Sequence, residues 1–267
     1  FFFFCTSKMT SQSAFLLNLF LWSSLVASIN ALAGGGWQSR PVIPELAKSS
    51  EESPTNKRQK WDAMRFLSQS SKFVSMPKLG SPNPTKVQPG DILWDKSSFR
   101  GQAKNNKFTF APLDDVVMGG VSSSTFVDGT WNGVVSDSNS GGFVGIRSTP
   151  MPTPLDFSDC KGVQLRFKGE RNKLFKFVVR DSTDFNGVCW TSTFGGDFRL
   201  GDECTVKIPL DKMIPTIFAR TVPNQTIGRN NIVGFQLVYS KFLFDEELNP
   251  KFELGDFDLE VLDLRAY

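Results

Sequence analysis

Beyond residue 90, apolar and polar residues alternate in short runs, and turn-forming residues separate the runs. Residues 162–168 read Gly-Val-Gln-Leu-Arg-Phe-Lys, which places Val163, Leu165 and Phe167 on one face of an extended segment. Residues 174–180 repeat the pattern with Phe175, Phe177 and Val179 facing in. In residues 204–208, Val206 and Ile208 point inward while Thr205 and Lys207 point outward. Near the end, Phe257, Leu259 and Val261 alternate with Asp256, Asp258 and Glu260. The stretch 232–239 is apolar almost throughout, as a strand in the middle of a sheet would be. Residues 123–127 and 130–136 flank Asp128-Gly129, a strong signal for a two-residue hairpin. A period of two, short turns and no internal repeat predict about ten strands in an all-β sandwich with little helix.

The first ninety residues follow other patterns. Residues 1–8 read as upstream sequence before a start at Met9. Residues 14–29 are largely apolar, and Ala31-Leu32-Ala33 supplies the small-x-small pattern of a signal-peptidase site, so residues 1–33 are taken as upstream residues plus a secretory signal peptide. Residues 34–48 combine Gly, Ser and Pro with Arg40, a composition that suits a short transit peptide and hence a two-part plastid address. Between residues 55 and 76, Trp61, Met64 and Leu67 recur at helical spacing among Lys57, Arg58, Lys60, Arg65 and Lys72. A basic amphipathic helix there would lie on a membrane surface or partner, or pack on its own domain. Pro77, Pro82, Pro84, Pro89 and Gly90 then break regular structure, which sets the expected boundaries: an arm over residues 34–90 and a sandwich over residues 91–267.

Charge sharpens this division. Residues 34–90 hold nine Lys/Arg against four Asp/Glu, whereas residues 91–267 hold 20 against 23. The arm is therefore basic and the domain mildly acidic, and a total of +3 gives no reason to expect nucleic acid. The chain has no histidine, which removes every His-dependent triad and His metal site. Cys160, Cys189 and Cys204 follow the presumed signal segment; an odd number argues for small buried residues over a disulfide framework.

Candidate chemistry concentrates in two stretches. The first runs Asp114-Asp115-Val116-Val117-Met118-Gly119-Gly120-Val121-Ser122, and the second Gly141-Gly142-Phe143-Val144-Gly145-Ile146-Arg147. Adjacent carboxylates on an extended chain point to opposite sides, so Asp114 and Asp115 are poorly placed to share a proton. Turn capping or acceptance of backbone N–H groups near Gly119 and Gly120 is the plainer role. Gly141 and Gly142 suit positive φ or a bulge at the entry to a strand. Arg147 is expected on a sheet face beside Arg166, where an ion pair with Asp115 or another acid would join the two stretches. Ser122, Ser123 and Ser124 lack a base and read as polar strand edge. Trp131 and Trp190, with Arg180, Asp181, Asp184 and Asn186, are the residues from which a sugar platform could be built, although tryptophans in sandwiches usually pack in the core.

These two stretches, with Leu165-Arg166-Phe167-Lys168-Gly169 and Phe252-Glu253-Leu254, resemble the complex I intermediate-associated protein 30 family over residues 91–267. Residues 213–216, 219–221, 240–250 and the closing Ala266-Tyr267 are similar to its photosynthetic branch, which includes a plastid factor needed for photosystem II synthesis. One departure is Gly169-Glu170-Arg171, where the family commonly shows Gly-Asp-Gly. The resemblance implies a galactose-binding-like jelly-roll sandwich with no catalytic residues, metal or cofactor. It implies an assembly factor that binds subunits or intermediates of an organellar membrane complex, respiratory or photosynthetic. Under that reading, Asp114, Asp115, Gly119, Gly120, Gly141, Gly142 and Arg147 form a structural or partner-binding motif. The expected address is a plastid, with mitochondrion or secretory lumen as alternatives, and the competing function is a carbohydrate-binding module of the secretory pathway.

Overall fold

Where side chains alternate, the chain forms strands, and the strands pair into two sheets. The computed structural model describes residues 62–73, 82–97, 106–169, 172–196 and 201–267, all within the unit Lys57–Tyr267. The signal and transit segments, Trp61, Glu170 and Arg171 lie outside the described residues. One helix, α1 (Ala63–Ser71), precedes the strands. In chain order these are β1 (Thr85–Lys86), β2 (Ile92–Asp95), β3 (Phe110–Pro112), β4 (Ser123–Val127), β5 (Thr130–Val135), β6 (Phe143–Ser148), β7 (Leu155–Asp156), β8 (Gly162–Gly169), β9 (Leu174–Arg180), β10 (Cys189–Gly195), β11 (Cys204–Pro209), β12 (Ile214–Ile217), β13 (Arg220–Thr221), β14 (Gly234–Ser240) and β15 (Gly255–Ala266).

One sheet runs β13-β12-β10-β9-β14-β6-β3 and the other β11-β8-β15-β5-β4, with β2 also paired to β15. Pairings inside both sheets are antiparallel; the short β1–β7 pair is parallel. The architecture is the all-β sandwich that the alternation implied, and because the chain repeatedly crosses between sheets, as from β5 to β6 and from β8 to β9, it is of the jelly-roll type that the resemblance implied. The two inner faces share one core. Phe167 on β8 meets Phe194 on β10 at 5.3 Å between ring centroids, and Phe257 on β15 meets Tyr239 on β14 at 5.8 Å. Trp131 on β5 packs on Phe257 at 4.9 Å and on Phe175 at 6.1 Å. The Asp128-Gly129 hairpin forms with both residues at positive φ, 49° and 82°, as a type I′ turn requires.

Three expectations change. Sandwich packing begins before residue 91, because β1 pairs with β7 and Val87 is fully buried in the core. The central strand β14 begins at Gly234; Ile232 instead makes an isolated bridge with Leu155. Helix α1 lies within residues 55–76, and where packing on the domain would have turned its apolar side inward, its polar side faces the sandwich instead. Asp62 caps it by accepting from the Arg65 backbone N–H at 2.9 Å. Its apolar Met64 and Leu67 are 77% and 58% exposed, while Arg65 and Gln69 face the sandwich. The reason is local: the surface under the helix offers a buried carboxylate that needs donors, and Arg65 and Gln69, one turn apart, supply them.

Candidate functional site

Asp115 opens a 3₁₀ turn, Asp115–Met118, that ends at Gly119 with φ +91°. Its carboxylate points into the sandwich edge and is nearly inaccessible to water. Oδ1 accepts from the Ser122 N–H at 2.9 Å; Oδ2 accepts from Ser122 Oγ at 2.6 Å and from the Gly142 N–H at 2.9 Å. A longer bond at 3.4 Å comes from the Phe143 N–H. One carboxylate thus joins the two glycine-bearing stretches. The glycines follow from this closeness. A Cβ on Gly120 or Gly141 would come within 3.0 Å of the Asp115 carboxylate, whereas Gly142 is held at φ +120°. Asn139 Nδ2, donating to the Gly119 carbonyl at 3.1 Å, ties the stretches a second time.

Asp114 serves another set of donors. Its Oδ2 accepts from Arg65 Nη2, Gln69 Nε2 and the Ser124 N–H, each at 2.9 Å. Oδ1 accepts from Ser124 Oγ at 2.6 Å and from the Gly145 N–H at 3.4 Å. Gln69 closes the exchange by accepting from the Asp114 backbone N–H at 2.9 Å. Burial pushes the Asp114 carboxyl above its ordinary value, and the bonds from Ser124 and Gln69 and the Arg65 charge oppose that rise. The two acids therefore occupy separate networks, Asp114 holding helix α1 and Asp115 holding the 141–143 turn. Neither shares a proton with the other.

Arg147 departs from expectation. It lies on β6 in the seven-stranded sheet, whereas Arg166 lies on β8 in the other. Among the described residues Arg147 makes no ion pair; its guanidinium instead rests over the rings of Phe185, at 4.9 Å, and Phe73, at 5.7 Å. Asp115 has no need of it, since backbone and serine donors already fill both oxygens. The sugar platform also fails to assemble. Trp131 and Trp190 are buried in the core, and they belong to different sheets. The cysteines Cys160, Cys189 and Cys204 are free thiols. Among the described residues no group of three or more Cys, Asp or Glu is placed to hold a metal ion.

The family model for complex I intermediate-associated protein 30 matches residues 97–261, a span that takes in both glycine stretches and both acids. The chain belongs to this family. No curated protein matches the chain. Its fold is similar to two solved family 11 carbohydrate-binding modules of Clostridium thermocellum. One, bound to a β-1,3-1,4-mixed-linked tetrasaccharide, is 16% identical with a TM-score of 0.41, over 67% of this chain and 96% of that one. The other, from the cellulosomal cellulase Lic26A-Cel5E, is 15% identical with a TM-score of 0.42, over 68% and 96%. An agarase, AgWH50C, is similar at 12% identity and a TM-score of 0.37, over 67% of this chain and 25% of that one.

In this complex I intermediate-associated protein 30 domain, sequence reasoning missed four contributors to the acid networks: Arg65, Gln69, Ser122 and Ser124. Two signals were available. Ser122 and Ser124 stand at spacing two, and Arg65 and Gln69 at spacing four. Each pair is on one face of its element, beside two acids that had to be satisfied somewhere.

Proposed function

We propose that the protein is a non-enzymatic assembly factor that binds subunits or intermediates of an organellar membrane energy-converting complex, respiratory complex I or a photosynthetic complex. The observation that carries this reading is membership of the complex I intermediate-associated protein 30 family over residues 97–261. The acid networks agree with it. The most reactive-looking side chains, Asp114 and Asp115, are filled by structural hydrogen bonds and offer no free base. Entry by a secretory signal and residence in a plastid are part of the proposal and rest on residues 14–33 and the basic stretch after them. Contact with a membrane surface would use the exposed Met64 and Leu67 of α1.

The deciding experiment is affinity capture of the full chain from solubilised organelles, followed by identification of the proteins retained. Subunits of one respiratory or photosynthetic complex are expected, together with loss of that complex in a knockout. Capture of none, with normal complex levels in the knockout, would refute the proposal.

A further inference from the structure

The outer face of the seven-stranded sheet carries a set of donors whose capacity is only partly met among the described residues. Arg147 on β6 lies directly opposite Gln236 on β14, and Gln236 lies opposite Val178 on β9. One row along, Arg180 on β9 lies opposite Gly234. Partners in register share a sheet face, so Arg147, Gln236 and Arg180 project from the same side. Glycines keep the floor between them low. Gln236 Nε2 comes within 3.5 Å of where a Gly145 Cβ would be, and the Arg180 stem lies 3.9 Å from the corresponding point on Gly234.

Their hydrogen bonds account for only part of their capacity. Arg180 is 3% exposed and donates to the Cys189 Sγ and to the carbonyls of Asp184 and Phe185, but its Nε is buried with no partner. Among the described residues neither Arg147 nor Arg180 forms an ion pair. The neighbouring carboxylates accept from backbone N–H groups instead: Asp181 from Gly228 at 2.7 Å and Asp184 from Asn186 at 3.1 Å. Rings of Phe73 and Phe185 cover Arg147 and leave its in-plane N–H groups as the means of contact. Burial first, and the Arg180 charge second, pull the Arg147 guanidinium down to about 10, against a smaller opposing effect of Cys189, as expected of two cations sharing one desolvated site.

We propose that Arg147, Arg180 and Gln236 form an oxyanion-binding site whose occupant is a carboxylate of an acidic polypeptide segment. A carboxylate matches the guanidinium fork in two bonds, and Gln236 offers an amide donor beside it. Phe185, 41% exposed at the rim, adds an apolar contact for a neighbouring side chain of the same segment. That the carboxylate belongs to a polypeptide rests on the assembly-factor reading; the preference for an anion rests on the geometry alone.

Calorimetric titration of the full chain tests both parts, using a short acidic peptide, the same peptide with Asn and Gln in place of its acids, acetate, and inorganic phosphate. The acidic peptide and acetate are expected to bind and the neutral peptide not to. Arg147→Gln is expected to weaken peptide binding at least about tenfold, the scale of one lost charged hydrogen bond. Gln236→Leu keeps the test informative should Arg147→Gln prevent folding, and it is expected to weaken binding by a smaller factor. Unchanged affinity in a folded Arg147→Gln protein, or no binding of any anion, overturns the site. Phosphate binding with no response to acetate or acidic peptide overturns the occupant. Because no complex subunit is present in the titration, failure of organelle capture and failure of this site are separately readable.

Discussion

Replacing Asp115 by Asn tests whether the glycine stretches are held together by one carboxylate. The change keeps shape and volume but removes the charge and turns one acceptor oxygen into an NH₂ donor. Asp115 offers two oxygens to four donors: the Ser122 N–H, Ser122 Oγ, and the N–H groups of Gly142 and Phe143. Asn offers one oxygen and brings two donors of its own. If its oxygen takes the Oδ2 position, its NH₂ faces the Ser122 N–H; if reversed, it faces the Gly142 N–H. In either orientation a buried N–H is left without an acceptor, at about 1–3 kcal/mol, and at least one charge-assisted bond is weakened. The expected total is a loss of about 2–4 kcal/mol. Urea unfolding of the full chain reads this as a lower midpoint with an unchanged slope. A paired glycine control separates steric from backbone causes. Gly120→Ala drives a Cβ into the Asp115 carboxylate, while Gly119→Ala meets open space and carries only the strain of φ +91°, roughly 1 kcal/mol. Asp115→Asn within about 0.5 kcal/mol of the parent protein, or Gly119→Ala costing more than Gly120→Ala, would show that the carboxylate does not hold the turn.

Three further outcomes are expected. Arg65→Ala with Gln69→Ala should free α1: hydrogen exchange of residues 63–71 should rise toward that of an isolated short helix while β8 and β15 stay protected, since the Ser124 donors still serve Asp114. Lys176, whose ammonium donates to the Phe242 and Leu243 carbonyls at 2.7 and 3.1 Å, has its pKa lowered by burial from 10.5 to about 8. Between those pH values the unfolded chain binds the extra proton, so this group's contribution to stability should rise with pH, by up to about 3 kcal/mol. The measurement is the pH dependence of the stability difference from Lys176→Met, and a flat difference from pH about 7 to about 10.5 would contradict it. Phe175→Ala should cost roughly 3–5 kcal/mol by thermal or urea unfolding, because Phe175 is fully buried between Trp131, Phe194 and Tyr239.

The strands were legible because their information is local. The inward positions recur at spacing two in β8, β9 and β15, at Val163, Leu165 and Phe167, at Phe175, Phe177 and Val179, and at Phe257, Leu259 and Val261, although β9 is also buried on its other face and β15 shifts register after Val261. Asp128-Gly129 was equally local, since the turn needs two residues that tolerate positive φ. The partners of charged groups were not legible, because that choice is made across the fold. Arg147 was expected to pair with Asp115 or another acid, yet the Asp115 carboxylate was already filled by donors seven and 27 residues away, and Asp114 drew Arg65 from 49 residues upstream. Helix α1 shows the same limit from the other side. Its period correctly marked a helix, but periodicity assigns an inward face only if the surface below is apolar. Here that surface carries a buried acid, so the polar stripe turns in and Met64 and Leu67 turn out.

That inversion bears on how a partner could be received. Helix α1 reaches the sandwich through Arg65 and Gln69 on Asp114, and Phe73, two residues beyond the helix, covers Arg147. The Arg65 and Gln69 contacts are polar, and Arg65 is partly open to water, so each is worth only about 1–3 kcal/mol. A segment that brings its own carboxylate to Arg147 and Arg180 would meet the in-plane N–H groups at the edge of the Phe73 ring, without disturbing Asp115. The two acids thereby divide the labour: Asp115 fixes the 141–143 turn that leads into β6 and so sets the position of Arg147, while Asp114 holds an element that can leave. Displacing α1 should therefore raise access to Arg147 with little change in the sandwich. The Arg65→Ala, Gln69→Ala protein should bind the acidic peptide at least as tightly as the parent, and weaker binding would mean that α1 is part of the site and not its cover.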